Sequence, residues 1–203
     1  LTGCYGERED FKKKRCEPET QGNRINGDVR EREIEVTLSD YEQVHIQYSE
    51  NSKEYYEIFV SDGNVLTMVN ASNKEWTDYI GGKPSAEERK IVLQVPTALL
   101  DTVTLSTTNE NVSHPVVSVT GIIDISTTGG NITFESLDVE NTLTLTAKNG
   151  DISGTVIGSY DDFAIQSEIK KGDSNLPDNK DSGDKTLKVS SNNGDVNIEF
   201  VAK

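Results

Sequence analysis

Few side chains in this 203-residue chain are of types that do chemistry: two histidines, two cysteines and a surplus of carboxylates. A serine or cysteine hydrolase needs a base beside its nucleophile. His45 alternates in phase with Gln43 and Gln47 and out of phase with Val44 and Ile46, which turns it toward solvent. His114 precedes Pro115 and reads as a loop residue in a turn. Cys4 and Cys16 both precede the patterned part of the chain, so they build no Cys–His zinc site of ordinary spacing. A glycosidase needs two opposed carboxylates, and Asp124, Asp138, Asp151, Asp161 and Asp162 are the candidates. Asp124, however, alternates with Ile123 and Ile125 and points outward, and so acidic a chain produces such pairs by chance. Trp76, Tyr79 and Tyr160 are the obvious aromatic platforms outside strand cores. Calcium is the ion best suited to the oxygens of Asp151, Asp161, Asp162, Asp173 and Asp195. The glycine-rich nine-residue spacing of calcium-binding β-rolls is missing, and a structural turn accounts for the same residues. These residues predict no enzyme and no cofactor.

Asp plus Glu total 35 against 20 for Lys plus Arg, a net charge of −15. Such a surface repels phosphates, which argues against nucleic acid and against polybasic membrane binding. Apolar residues make up 33% and aromatic ones 6%, enough for one core but lean. No apolar run approaches the ~18 residues of a membrane span.

Leu1-Thr2-Gly3-Cys4 resembles a bacterial lipobox, in which Cys4 is lipidated after cleavage. The start at Leu1 reads as lying inside a longer precursor, and the same residues also suit the end of a single anchoring helix. A Cys4–Cys16 disulfide is the exclusive alternative to lipidation. Lys12, Lys13, Lys14 and Arg15 sit among Glu7, Glu9, Asp10, Glu17 and Glu19, as a solvated tether or a headgroup contact would. Residues 1–30 read as a membrane-proximal tether ending near Asn26-Gly27-Asp28, outside the cytoplasm.

From about residue 32 the pattern has period two: Ile34, Val36 and Leu38; Val44, Ile46 and Tyr48; Tyr56, Ile58 and Val60; Leu66 and Met68; Ile91, Leu93 and Val95. Asp62-Gly63-Asn64 predicts a hairpin turn. Residues 70–90 read as a loop with one helical turn near 85–89. Beyond this the chain repeats. Leu105, Ile125 and Leu145 open like segments, Val189 opens another, and Ile165 fits a degenerate one. Val103, Ile123, Leu143, Phe163 and Leu187 form a second apolar column, and Val112, Ile132, Ile152 and Val196 a third; Val117, Leu137 and Ile157 mark a further face. A fixed return of about 20 residues predicts a β-solenoid whose coils stack in parallel and share one core. The Asn-Gly-Asp corners supply residues tolerant of positive φ. The fold class is all-β: capping strands over 31–96, then repeats over 97–203, closed by 196–200. An antiparallel β-sandwich is the alternative. Asn70, Asn111 and Asn131 begin N-x-Ser/Thr triplets and read as turn residues.

Three segments, 146–158, 172–177 and 193–198, together with Gln94-Val95-Pro96 followed by Leu99, resemble the bacterial DUF4097 family of adhesin-like surface proteins. The resemblance spans about residues 32–203. It implies a β-helix-like domain on the outer face of the membrane, anchored by a lipid or a single helix, and brings no catalytic residues. The expected function is that of a non-enzymatic cell-surface adhesin or envelope binding module with a protein or glycan partner. The alternatives are an accessory or sensory component of an envelope-stress response, and a polysaccharide-active enzyme. The expected partner surfaces are the 172–184 loop, with Asp173 and Asn175, and the Trp76 and Tyr79 pair.

Overall fold

The computed structural model describes residues 9–18, 23–75, 78, 82–96 and 100–203. Cys4, Trp76 and Tyr79 therefore lie outside the described residues, as does any Cys4–Cys16 bond. Sixteen strands run in chain order: β1 (Lys12–Cys16), β2 (Arg24–Asp28), β3 (Glu33–Ser39), β4 (His45–Glu50), β5 (Glu54–Ser61), β6 (Val65–Ser72), β7 (Lys90–Pro96), β8 (Leu100–Thr107), β9 (Val112–Thr127), β10 (Ile132–Val139), β11 (Thr142–Asn149), β12 (Ile152–Ile157), β13 (Phe163–Lys171), β14 (Asn179–Lys180), β15 (Lys185–Asn193) and β16 (Val196–Val201). They form a β-solenoid with two walls. Wall one runs β5-β6-β2-β8-β9-β11-β15-β13-β14, and wall two runs β1-β4-β7-β3-β9-β10-β12-β16. Strand β9 belongs to both, because residues 112–119 pair with β10 and residues 122–127 with β8 and β11.

Successive coils stack in parallel and in register, so a column in the sequence becomes a file in space. Leu105, Ile125, Leu145 and Val189 lie opposite one another on wall one, all buried. Ile34, Val112, Ile132, Ile152 and Val196 do the same on wall two. At ~25 cal/mol per Å² of apolar area removed from water, these files are the main stabilising term.

Four expectations are corrected. Residues 1–30 are not all tether. Strand β1 pairs with β4, and β2 is a full rung between β6 and β8 with Ile25 buried. Asn26-Gly27-Asp28 is thus strand rather than turn. The strands of 31–96 do more than cap: β2 and β3 make one coil and β6 and β7 another, each paired in parallel with its neighbour. Ile165 leaves the Leu145 file, because β15 and β16 slide between the 142–157 coil and β13; Ile165 faces Leu187 and Ser167 faces Val189. Strand β16 ends wall two, sharing the last coil of the sequence with β15, and Ser174 adds an isolated bridge to Val196 beyond it. Ile157 yields its place to Val156, because a bulge between Phe134 and Leu137 shifts the register by one.

The corners are built differently from expectation. Gly130, Gly150 and Gly194 have no positive φ. They are glycines because the backbone of the next coil leaves no room. A Cβ on Gly150 would lie 1.9 Å from the Gly130 carbonyl oxygen, and one on Gly194 would lie 1.9 Å from that of Gly150. The following residues form a ladder. The backbone N–H of Asn131 donates to Asn111 Oδ1 (2.8 Å), that of Asp151 to Asn131 Oδ1 (2.9 Å), that of Asp195 to Asp151 Oδ1 (2.8 Å), and that of Asp173 to Asp195 Oδ1 (2.9 Å). Removing one rung leaves a donor without its partner, so Asp151→Ala is expected to cost about 1–2 kcal/mol. Asp151→Asn keeps the acceptor and removes one of three stacked carboxylates, so it should cost less than about 0.5 kcal/mol. Urea midpoints of the two variants check this, and equal losses would contradict the ladder's role. The hairpin at Asp62, Gly63 and Asn64 is as expected, with Gly63 at φ 80 and Asn64 at φ 59. The turn near 85–89 is closed by Glu88 N–H to Ser85 Oγ (3.2 Å) and Ser85 N–H to Glu88 Oε2 (2.8 Å).

Candidate functional site

The outer face of wall one is a lattice of hydroxyls. Alternation turns the apolar residues of β8, β9, β11 and β15 inward and leaves three outward files. They are Thr102, Ile122, Thr142 and Thr186; Thr104, Asp124, Thr144 and Lys188; and Ser106, Ser126, Thr146 and Ser190. Strand geometry spaces these groups about 4.8 Å across the strands and about 6.7 Å along them. Asp124 lies half-buried between Thr104 and Thr144, and burial raises its carboxyl above the usual range. Toward the C-terminal end the lattice opens into a groove of about 240 Å³, lined by Thr144, Thr146, Gln166, Glu168, Lys188 and Asp178 among others. The Asp178 side is held by Ser167 N–H donating to Asp178 O (2.9 Å) and by antiparallel pairing of Ile165 with Lys180. Donors, acceptors and one cation face a common space, an arrangement suited to a polar, hydroxyl-bearing ligand.

The 172–184 loop borders this groove, but its own expected contacts are engaged in the fold. Asp173 is the last rung of the corner ladder. Asn175 clamps β16: its Nδ2 donates to Ile198 O (2.8 Å), and its Oδ1 accepts from Ile198 N–H (3.0 Å). Leu176 is buried, and Lys180 Nζ donates to Phe163 O (2.7 Å) and Ser182 O (2.6 Å). The loop is the stack's C-terminal cap.

Both histidines are more buried than their sequence pattern implies. His45 does lie on the outer side of β4, but only 4% of it is exposed. The Tyr41 ring covers it at 4.6 Å, and its Nδ1 lies 2.7 Å from Arg15 and 3.1 Å from Glu17. His114 lies within β9, opposite Phe134, and is 3% exposed. Among the described residues neither of its ring nitrogens has a hydrogen-bond partner, and burial lowers its pKa to about 3. Burial, and then Glu17, raises the Cys16 thiol pKa, which makes it a poor nucleophile. The basic cluster is strand rather than free tether: Lys13 pairs with Glu87 (2.7 Å), Lys14 with Glu50 (2.6 Å) and Arg15 with Glu17 (3.2 Å).

Of the carboxylates offered for sugar hydrolysis or calcium, Asp151, Asp195 and Asp173 stack as successive rungs of the corner ladder, and the others lie apart from them. Asp124 is on wall one, while Asp138 is on wall two and paired with Lys203 (2.9 Å). Asp161 and Asp162 belong to the 3-10 turn Tyr160–Asp162, where Asp162 Oδ2 accepts from Ser159 N–H (2.8 Å). Among the described residues no three His, Cys, Asp or Glu side chains converge on a metal position. Nor is any helix among them long and apolar enough to cross a membrane.

The family model described as Toastrack DUF4097 matches residues 23–153, beginning at the rung formed by β2. The chain belongs to this family. The match starts inside the stretch read as tether, in agreement with the pairing of β2 between β6 and β8. Among solved structures, a "putative cell adhesion protein" from Clostridium sporogenes is similar, with a TM-score of 0.65 and 13% identity, over 95% of this chain and 99% of that one. At that identity it shows the Toastrack domain's fold alone. "Putative adhesin" structures from Bacteroides fragilis (15% identity, covering 95% of this chain and 98% of that one) and Parabacteroides distasonis (16%, covering 95% and 97%) give TM-scores of 0.39 and 0.36 and carry no argument. No curated protein matches the sequence.

Proposed function

We propose that this Toastrack domain is a non-enzymatic binding module of the bacterial cell envelope. In this reading it presents wall one to a hydroxyl-rich partner, a glycan or a polar protein surface. The observation that carries it is the hydroxyl lattice running into the groove between Lys188, Glu168 and Asp178. The non-enzymatic reading is supported by the burial of both histidines and by the structural contacts that occupy Asp138, Asp151, Asp162 and Asp195. The similarity to a "putative cell adhesion protein" of Clostridium sporogenes agrees with an outward-facing location. Anchoring through the residues that precede the domain, by a lipid on Cys4 or a helix, is the other half of the proposal; mass spectrometry of the membrane-extracted protein tests the lipid.

A glycan and protein array probed with the full chain tests binding. Lys188→Glu with Thr146→Arg, both outward-facing, should weaken the captured ligand at least about 10-fold, a loss of about 1.4 kcal/mol. The far-UV spectrum should stay unchanged. Binding indifferent to these substitutions would remove wall one from the proposal. Release of shortened polysaccharide from a bound glycan would end the non-enzymatic reading.

A further inference from the structure

The two ends of the stack are finished differently. At the C-terminal end the terminal wall-one strand is β14, only two residues long and held under the cap by Lys180. At the other end β5 is eight residues long, and among the described residues it pairs only with β6. Long edge strands are normally blunted by proline, lysine or a bulge. Between Glu54 and Ser61 there is neither proline nor lysine, and the β5–β6 register is unbroken.

The open part of this edge can be located. Tyr56 N–H turns away from β6 and donates to Glu50 Oε2 (3.1 Å), so the first stretch of the edge is closed by the chain itself. Antiparallel ladders alternate, so the N–H and C=O groups of Ile58 and Val60 face the same outer edge. The side chains of Tyr56, Ile58 and Val60 lie on the inner face, half-buried against the end of the core, while Phe59 points outward and is 47% exposed. Among the described residues the edge thus offers two amide units without a strand partner, an unfinished apolar row beneath them and one exposed ring above.

We propose that β5 pairs antiparallel with β5 of a second copy, about a two-fold axis through Phe59. In this register Ile58 faces Val60 of the copy and exchanges both backbone hydrogen bonds with it, which continues the inner apolar row across the junction. Phe59 meets its counterpart at a non-hydrogen-bonded position, where side chains approach closest. Glu57 faces Ser61 of the copy, so no like charges stand directly opposite. The register leaves the Glu50–Tyr56 contact intact, whereas a two-fold through Ile58 would displace it. The net charge of −15 opposes association at low ionic strength, so the dimer strengthens with salt.

Sedimentation velocity of the full chain at concentrations up to about 0.5 mM, in about 0.15 M and 0.5 M salt, should show a monomer–dimer equilibrium shifted toward dimer at high salt. Phe59→Lys places two ammonium groups at the axis and should weaken association at least about 10-fold. In a Cys4→Ser, Cys16→Ser background, Phe59→Cys should form a disulfide-linked dimer under mild oxidation, and Glu57→Cys should not. A monomer under all conditions, a dimer indifferent to Phe59→Lys, or equal cross-linking by the two cysteine variants would each overturn the proposal.

Discussion

Replacing Gly150 with alanine is expected to cost about 3 kcal/mol or more and to lower the melting temperature by about 6–12 °C. The new methyl group would lie 1.9 Å from the Gly130 carbonyl oxygen and 2.6 Å from its carbon, so backbone rather than a flexible side chain would have to move. Separating the coils there also strains Ile132 N–H to Asp151 O (2.9 Å) and Asp151 N–H to Asn131 Oδ1 (2.9 Å). Gly63→Ala is the informative comparison. Gly63 has φ 80 but nothing within 4 Å of a built Cβ, so its substitution carries only the conformational cost of about 1 kcal/mol. Thermal and urea unfolding of both variants discriminate. If Gly150→Ala costs no more than Gly63→Ala, contact between coils is not why the corners are glycine.

Acidification should destabilise the protein through His114. Burial alone holds its folded-state pKa at about 3, against ~6.5 for an exposed imidazole. Between these values the unfolded chain binds a proton that the folded one refuses. Stability is therefore full above about pH 6.5 and falls as pH drops toward 3, by an amount on the order of 4–5 kcal/mol over the whole window. His114→Leu removes both the titrating group and two unpartnered ring nitrogens. At pH 7 the variant should be as stable as the parent or more so, because a buried polar group without a partner is costly. The gap should widen at pH 4 in favour of the variant. Urea midpoints for both chains at pH 7 and pH 4 measure the difference and cancel the contribution of the carboxylates. Parallel pH profiles would show that the imidazole is not sealed from solvent.

Much of the architecture was legible because in-register parallel stacking maps a sequence period directly onto space. Leu105, Ile125 and Leu145 recur at one interval and are found in one file, and the Val112, Ile132, Ile152 and Val196 column runs down the opposite wall. The 24–39 coil was hidden because it lacks the corner sequence; its Asn-Gly-Asp lies within a strand and imitates a turn. His45 shows the limit of alternation. The period correctly assigns the side of the strand but says nothing about Tyr41, Arg15 and Glu17, which fold over that side. The candidate site was legible only in fragments. Each strand shows its outward Thr and Ser residues, but the groove exists because β13 and the Asp178 segment close against β15.

Taken alone, the order of residues determined an all-β, repeating, acidic chain with an aliphatic spine and corners marked by Asn, Gly and Asp. These are properties of one coil and its immediate neighbour, governed by local alternation and a fixed return length. Tertiary structure decided the order of the coils in space, and above all the insertion of β15 and β16 ahead of β13, which moves Ile165 into the Leu187 row. It also decided that Gly130, Gly150 and Gly194 answer to a neighbouring backbone rather than to their own φ, and that β5 pairs only with β6 among the described residues. Such features depend on which surfaces meet, and contact between distant segments leaves no period in the chain.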